Sequence, residues 1–132
     1  MTTELHWLAL TLAATALFPF PYVLNRIAVR GLKGTLDNPS ADDRPLAPWA
    51  QRARCAHANA VENLVVFAPA VLAVHATAAG NAMTAVACAV YFFSRVLHCL
   101  AYTAGVPGIR TLAFFAGWGA SAALVARLLG WL

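Results

Sequence analysis

Apolar residues fill four long stretches of the chain, at about residues 5–24, 54–79, 82–103 and 111–131. An α-helix rises about 1.5 Å per residue, so about 20 apolar residues cross the roughly 30 Å of hydrocarbon in a bilayer. One polar segment, at about residues 26–52, and two short turns separate these stretches. The pattern predicts an all-α protein, an integral membrane four-helix bundle that forms a single domain over residues 1–132.

Proline, glycine and aspartate positions refine these elements. Pro19 and Pro21 lie near the end of the first stretch and remove two backbone donors, so we expect a kink there. The polar segment contains several glycines and prolines, which is typical of a loop. We expect its neighbouring carboxylates, Asp42 and Asp43, to be solvated. Glycines in the fourth stretch allow close approach of helices.

Composition agrees with a lipid environment. Of the 132 residues, 61% are hydrophobic and 11% are charged, whereas a soluble domain carries about 25% charged residues. Met1-Thr-Thr-Glu4 lacks the basic cluster of a signal peptide, so we expect the first helix to remain as an anchor. Cys55, Cys88 and Cys99 have neither zinc-site nor secreted-disulfide spacing, so we expect reduced thiols and no metal site.

The net charge of +4 comes from arginines that flank the apolar stretches. This placement indicates membrane topology rather than nucleic-acid binding. The first loop and the last connection carry most of the basic residues, namely Arg26, Arg30, Lys33, Arg44, Arg52, Arg54 and Arg110. We expect both connections to be cytoplasmic and both termini to lie outside, which in a bacterium is an inner-membrane topology. Arg30 either anchors the helix at the interface or faces a ligand.

Two predicted helices carry polar stripes. The first stripe spans roughly 80° of arc at about 100° per residue, and it consists of Arg52, Cys55, Asn59 and Glu62. The second spans about 60°, and it consists of Arg95, His98 and Tyr102. Such stripes indicate either a buried network that joins helices or a ligand pocket open toward the cytoplasm.

Glu62 and Arg95 are the charges that lie deepest in these stripes. Counted from the cytoplasmic ends, Glu62 is roughly 12 Å deep and Arg95 roughly 13 Å deep. An unpaired charge at the middle of a membrane helix costs about 2.5 to 3.5 kcal/mol on insertion scales. We therefore predict an ion pair between Glu62 and Arg95.

Three motifs follow one another along the chain: Arg-x-Arg-x-Ala-His-x-Asn-x-x-Glu-Asn at 52–63, Arg95-x-x-His98-x-x-x-Tyr102, and Gly-x-Pro-Gly-Ile-Arg110-Thr111. Together they resemble the MAPEG family, the membrane-associated proteins of eicosanoid and glutathione metabolism, in its bacterial type. The resemblance covers nearly the whole chain.

The resemblance implies a homotrimer that binds glutathione between subunits near the cytoplasmic side and takes a lipophilic substrate from the membrane. By position, it implies that Arg110 is catalytic and lowers the pKa of the bound thiol. The other residues that match by position are Arg30, Asn59, Glu62, His98, Tyr102 and Thr111 for glutathione binding, with Arg52 and Arg95 as supporting charges. The implied activity is that of a glutathione-dependent transferase or peroxidase.

Two positions depart from the family pattern. Strong glutathione binders of the family carry arginine where this chain has Cys55 and Ala58. A non-catalytic binding or scaffold protein of the same family is therefore a second expectation. A small multidrug exporter is a third, because four short helices with one membrane carboxylate are typical of such transporters. The Glu62–Arg95 ion pair predicted above argues against it.

Overall fold

The computed structural model describes residues 1–132 and contains only α-helices. The helices are α1 (Thr3–Leu17), α2 (Pro19–Leu36), α3 (Pro48–Ala76), α4 (Ala82–Ala104) and α5 (Pro107–Leu128). Because α1 and α2 together form one apolar span of 34 residues, the chain has four helical spans long enough to cross a membrane. The predicted all-α class and the four spans are confirmed, and they fit an integral, multi-pass membrane protein.

The first span is interrupted at the predicted prolines. Helix α1 ends at Leu17, α2 begins at Pro19, and Phe18 alone separates them. A second interruption lies at Gly31, whose φ of 71° and ψ of 171° are not helical. Since φ is positive there, a side chain other than glycine's would be strained. The helix is interrupted at the predicted prolines, but Phe18 keeps helical φ and ψ of −57° and −30°, so the kink there stays a prediction. The non-helical dihedrals lie at Gly31, where the basic end of α2 carries an unpredicted bend.

The polar segment is shorter than predicted. We expected a loop over about residues 26–52, but α2 continues to Leu36 and α3 already begins at Pro48, which leaves only residues 37–47 outside the helices. Arginine, lysine and leucine favour helix, so the chain stays helical beyond Asn25. Pro48 and Pro107 lie in first turns, where a missing N–H has no helical partner, so they begin α3 and α5 rather than interrupting them.

Helix α4 lies at the centre of the bundle and contacts α1, α3 and α5. The rings of Phe67 on α3 and Tyr91 on α4 stack in parallel with centroids 3.6 Å apart. Small side chains line the buried faces around them: Ala50, Ala53, Ala56 and Ala60 on α3, and Ala113, Gly117, Ala120 and Ser121 on α5. Small residues let membrane helices approach closely, so α4 packs tightly against both neighbours.

The spans define two ends of the bundle. The basic end holds the last turns of α2 and α4 and the first turns of α3 and α5. The terminal end holds the first turn of α1, the α3–α4 turn and the last turn of α5. This assignment agrees with two contacts: the side chain of Arg52 reaches the carbonyl of Thr103 at the basic end, and that of Arg127 reaches the carbonyl of Ala79 at the terminal end.

Glu4 ties α1 to α4 at the terminal end, a role that the sequence did not predict. Its carboxylate is only 7% exposed, and Oε1 accepts a hydrogen bond of 2.7 Å from the Thr84 hydroxyl. Thr84 also closes the capping box of α4 with Asn81. Glu4 lies in the first turn of α1, where the helix dipole favours negative charge. The N-termini of two helices are thus joined through one carboxylate.

We expect Glu4→Ala to lower the free energy of unfolding by about 1.5 to 3 kcal/mol, the range for a hydrogen bond to a charged group. Glu4→Gln retains an acceptor and loses less. Thermal unfolding of the detergent-solubilised protein measures both variants. Thr3→Ala, an exposed position in the same turn, is the control. Equal unfolding temperatures for all three variants would contradict the role given to Glu4.

Candidate functional site

Arg95 is the most deeply enclosed charged side chain of the bundle, with 3% exposure. Its Nη1 donates to Asn59 Oδ1 at 3.2 Å, and its Nη2 donates to the carbonyls of Ala113 at 3.1 Å and Phe114 at 3.3 Å. Its Cζ lies 5.7 Å from the ring centroids of both Tyr91 and Phe114. One guanidinium on α4 therefore binds α3 and α5 at once, through neutral acceptors and aromatic faces.

Gly117 makes room for this guanidinium on α5. A Cβ at that position would lie 2.6 Å from Ser94 Oγ and 2.9 Å from both Nε and Nη2 of Arg95. Contacts that short are excluded, so any larger residue would displace the guanidinium from the carbonyls of α5. The glycine is needed for its size, since its backbone is ordinary helix.

The predicted ion pair between Glu62 and Arg95 is wrong. Glu62 is exposed on α3 and makes no hydrogen bond, and the one salt bridge of the chain joins Arg30 to Asp43. Asn59 occupies the place expected for Glu62, because it lies three positions earlier on α3 and points toward α4. Neutral acceptors take the hydrogen bonds of both Nη groups of Arg95, while its buried Nε has no partner. This arrangement avoids the burial of a second charge, which would carry its own desolvation penalty.

Arg110, Tyr102 and His98 form a column at the basic end. The Cζ of Arg110 lies 4.5 Å from the ring centroid of Tyr102, a cation–π contact. The Tyr102 ring meets the buried His98 ring edge-on with centroids 5.6 Å apart, and His98 in turn lies 6.4 Å from Phe114. The side chain of Arg110 makes no hydrogen bond within the chain, so its guanidinium N–H donors are free. The column thus presents a fixed guanidinium that can bind an anion.

Arg52 and Thr111 lie beside this column. Arg52 Nε donates to the carbonyl of Thr103 at 3.0 Å, in the last turn of α4, directly before the turn that leads to Arg110. Thr111 is exposed, and its hydroxyl donates to the carbonyl of Pro107 at 2.9 Å, within the first turn of α5. Arg52 therefore fixes the end of α4, and Thr111 shares the first turn of α5 with Arg110.

Arg30 is held by the loop between α2 and α3. Its Nη1 donates to Asp43 Oδ2 at 2.6 Å and its Nε donates to the carbonyl of Arg44 at 2.8 Å. Asp43 is therefore paired, which corrects the prediction that both neighbouring aspartates are solvated. Arg30 also lines an open cavity of about 250 Å³ together with Arg54 and Cys55.

One chain brings together only part of the predicted set. The structure groups five of them where α4 meets α3 and α5, with Arg52 and Thr111 alongside: Asn59, Arg95, His98, Tyr102 and Arg110. Glu62 instead lies exposed on α3, and Arg30 is held by the loop between α2 and α3. Glu62 shares the exposed face of α3 with Cys55 and Ala58. No cluster of three or more His, Cys, Asp or Glu side chains is arranged to hold a metal ion.

Four participants were missed by sequence reasoning. Phe114 and Tyr91 enclose Arg95, and the Tyr22 hydroxyl lies 2.9 Å from His57 Nδ1, linking α2 to α3. Aromatic residues in an apolar helix look like ordinary packing, so the first two gave no signal. Tyr22 and His57 lie on different predicted helices, and their spacing in the sequence does not reveal the contact.

Gly117→Ala should destabilise the bundle by about 1 to 3 kcal/mol, as expected for overpacking, because the new methyl group meets Arg95 and Ser94. Gly119→Ala is the matched control, since a Cβ there meets nothing within 4 Å. The measurement is the unfolding temperature of each variant in the same detergent. Alanine favours helix more than glycine does, so Gly119→Ala should not lose stability. An equal loss in both variants would mean that the contact with Arg95 and Ser94 is not what requires glycine at position 117.

The sequence of this chain is similar to a known protein family, because the model of the MAPEG family matches residues 5–130. No curated protein and no solved structure gives a significant match. The family match covers nearly all of the 132 residues and contains every residue of the column and of the Arg95 network. The chain belongs to the MAPEG family.

Proposed function

We propose that this protein is a glutathione-dependent transferase or peroxidase that acts on lipophilic compounds in the membrane. The family includes glutathione transferases and peroxidases. The single observation that carries the proposal is the free guanidinium of Arg110, held on the ring of Tyr102 with no acceptor in its own chain. A fixed cation that lacks a carboxylate partner suits the binding of a thiolate.

The charges left unpaired by the fold are complementary to glutathione. The tripeptide carries two carboxylates, one ammonium group and one thiol. The chain offers guanidinium groups without carboxylate partners at Arg110 and Arg54, and an unpaired carboxylate at Glu62. The charges of these residues are therefore complementary to those of glutathione. We assign Arg30, Asn59, His98 and Thr111 to the same site, with Arg52 and Arg95 in support.

A homotrimer would bring these groups together. Glu62 lies on a membrane-spanning helix, exposed and without a partner in its own chain. An unpaired carboxylate facing lipid is costly, so Glu62 needs a neighbouring subunit or a ligand. The same exposed face of α3 continues with Val61, Val65, Val66 and Leu72. We propose that subunits meet along this face and that glutathione binds between them.

The bound tripeptide would supply the nucleophilic thiol. Arg110 would stabilise the thiolate, because an adjacent cation lowers the pKa of a thiol. The Tyr102 ring holds the guanidinium of Arg110, and the His98 ring packs edge-on against the Tyr102 ring. Arg95 keeps α3 and α5 in register with α4 through its bonds to Asn59 and Ala113, so it positions Arg110 without meeting the substrate. The lipophilic substrate would reach the thiolate from the surrounding lipid.

We place the basic end in the cytoplasm. Arg26, Arg30, Arg52, Arg54 and Arg110 all lie near that end, whereas Arg127 is the one basic residue of the last turn of α5 at the other. The excess of arginine follows the positive-inside rule. In a bacterium this topology corresponds to the inner membrane with both termini outside.

A non-catalytic binding or scaffold protein is the second candidate, and one observation favours it. Cys55 and Ala58 are exposed on the face of α3 that also carries Glu62, and this face therefore lacks two arginines that strong glutathione binders have. The predicted Glu62–Arg95 ion pair was the argument against a multidrug exporter, and that argument no longer applies because Glu62 is not paired with Arg95. The family match over nearly the whole chain still ranks the exporter third.

Arg110→Ala should abolish the rise in unfolding temperature caused by millimolar glutathione and reduce kcat/KM with a chlorodinitrobenzene by about two orders of magnitude. Arg44→Ala is the control, because the Arg44 side chain is exposed and only its backbone carbonyl is used. Glutathione binding without turnover in the wild type would favour the scaffold. Proton-coupled dye efflux that requires Glu62 would favour the exporter.

Tyr102→Leu should reduce kcat/KM more than Tyr102→Phe, because phenylalanine keeps the ring on which Arg110 rests. A desolvated cation–π contact contributes up to about 2 kcal/mol, so the difference between the two variants should be roughly tenfold. Steady-state kinetics with glutathione as the varied substrate measures it. Equal losses in the two variants would assign the role to the Tyr102 hydroxyl instead of the ring.

A further inference from the structure

An apolar groove opens on the side of the bundle at the basic end. It has a volume of about 460 Å³ and lies between the α1–α2 break, the start of α3 and the end of α4. Phe18 and Pro21 form one wall, Trp49 lies on α3, and Leu100 lies on α4. The groove lies beside the point where α1 ends and α2 begins. Its volume is within the usual range for ligand pockets, about 300 to 1,000 Å³.

A single cation lines this groove. Arg52 is fixed through its Nε, which donates to the carbonyl of Thr103. The missing side chain of Gly105 leaves room for it, since a Cβ there would lie 3.4 Å from the Arg52 Cζ. The two Nη groups of Arg52 make no hydrogen bond, and Arg52 takes part in no salt bridge. The guanidinium of Arg52 is therefore held in place, and its two Nη groups have no hydrogen-bond acceptor within the chain.

The position of the groove indicates the chemistry of its occupant. Arg52 lies in the second turn of α3, and its partner lies in the last turn of α4, so the cation lies near the ends of two spans. Lipid headgroups lie at that depth, and tryptophans such as Trp49 are enriched there. Basic pockets between helices on the cytoplasmic side bind anionic headgroups. Apolar walls beneath a cation match a phosphate attached to an acyl chain.

We propose that this groove binds one anionic phospholipid of the surrounding bilayer. Its phosphate lies at the Nη groups of Arg52, and an acyl chain runs along Phe18, Pro21 and Leu100. The apolar walls of the groove are separate from the candidate site, because its residues on α4 occupy a different helical face from Arg95, His98 and Tyr102. Arg52 alone belongs to both. The lipid is therefore a structural partner at the basic end, and the proposal does not depend on glutathione chemistry.

Native mass spectrometry of the full-length protein tests this proposal. The detergent-solubilised protein is given equal amounts of phosphatidylglycerol and phosphatidylcholine with identical acyl chains. The wild type should retain the anionic lipid in preference by about fivefold, the ratio expected for one arginine at an anionic membrane surface. Arg52→Gln should remove the preference, and Arg52→Lys should keep it. Arg54→Gln is the control, because Arg54 lies at the same end but outside the groove.

Three outcomes would overturn the proposal. Equal retention of both lipids by the wild type would mean that the groove does not select charge. A preference that persists in Arg52→Gln but is lost in Arg54→Gln would assign it to the basic surface in general. Displacement of the lipid by free glycerol phosphate would mean that the phosphate alone binds, without the acyl chain. If Arg52→Gln does not fold, Leu100→Trp tests the groove instead, because it fills the apolar wall and leaves Arg52 unchanged. It should remove the preference, and a preference that persists in Leu100→Trp would overturn the proposal.

Discussion

The structure depends on a buried guanidinium whose two Nη groups are hydrogen-bonded without a counter-charge. A cation inside a membrane bundle must find acceptors, because lipid offers none. Arg95 finds them on both neighbouring helices, in the amide of Asn59 and in two backbone carbonyls of α5. Its three hydrogen bonds fix the register of α3 and α5 against α4. Gly117 is the structural condition for this arrangement, because it alone lets the guanidinium reach the backbone of α5.

The same register determines where the free cation lies. Arg110 is on the helix that Arg95 holds in place, and it rests on Tyr102, two turns further along α4 than Arg95. Arg52 adds a second constraint by binding the last turn of α4, next to Gly105, whose positive φ ends that helix. The turn between α4 and α5 is thus fixed on both sides. A guanidinium with free donors is held rigidly although no hydrogen bond restrains it.

Much of this arrangement was predictable because lipid imposes simple rules on a sequence. Apolar length gave the spans, the prolines gave the break at Phe18, and helical periodicity placed Asn59, Arg95, His98 and Tyr102 on inward faces. The true partners of Arg95 were not predictable. A sequence does not show which backbone carbonyls accept hydrogen bonds, and it does not fix the rotation of α3 that turns Asn59 rather than Glu62 toward Arg95. Glu4 was missed for a similar reason, since its partner Thr84 is distant in the chain.

The most direct test of this account is a pair of double-mutant cycles for unfolding in detergent, Arg95→Met with Asn59→Ala and Arg95→Met with Glu62→Ala. Residues that share a hydrogen bond show coupling energies of about 0.5 to 3 kcal/mol, whereas independent positions add. The account predicts coupling in that range between Arg95 and Asn59 and none between Arg95 and Glu62. Coupling of Arg95 to Glu62 alone would contradict it.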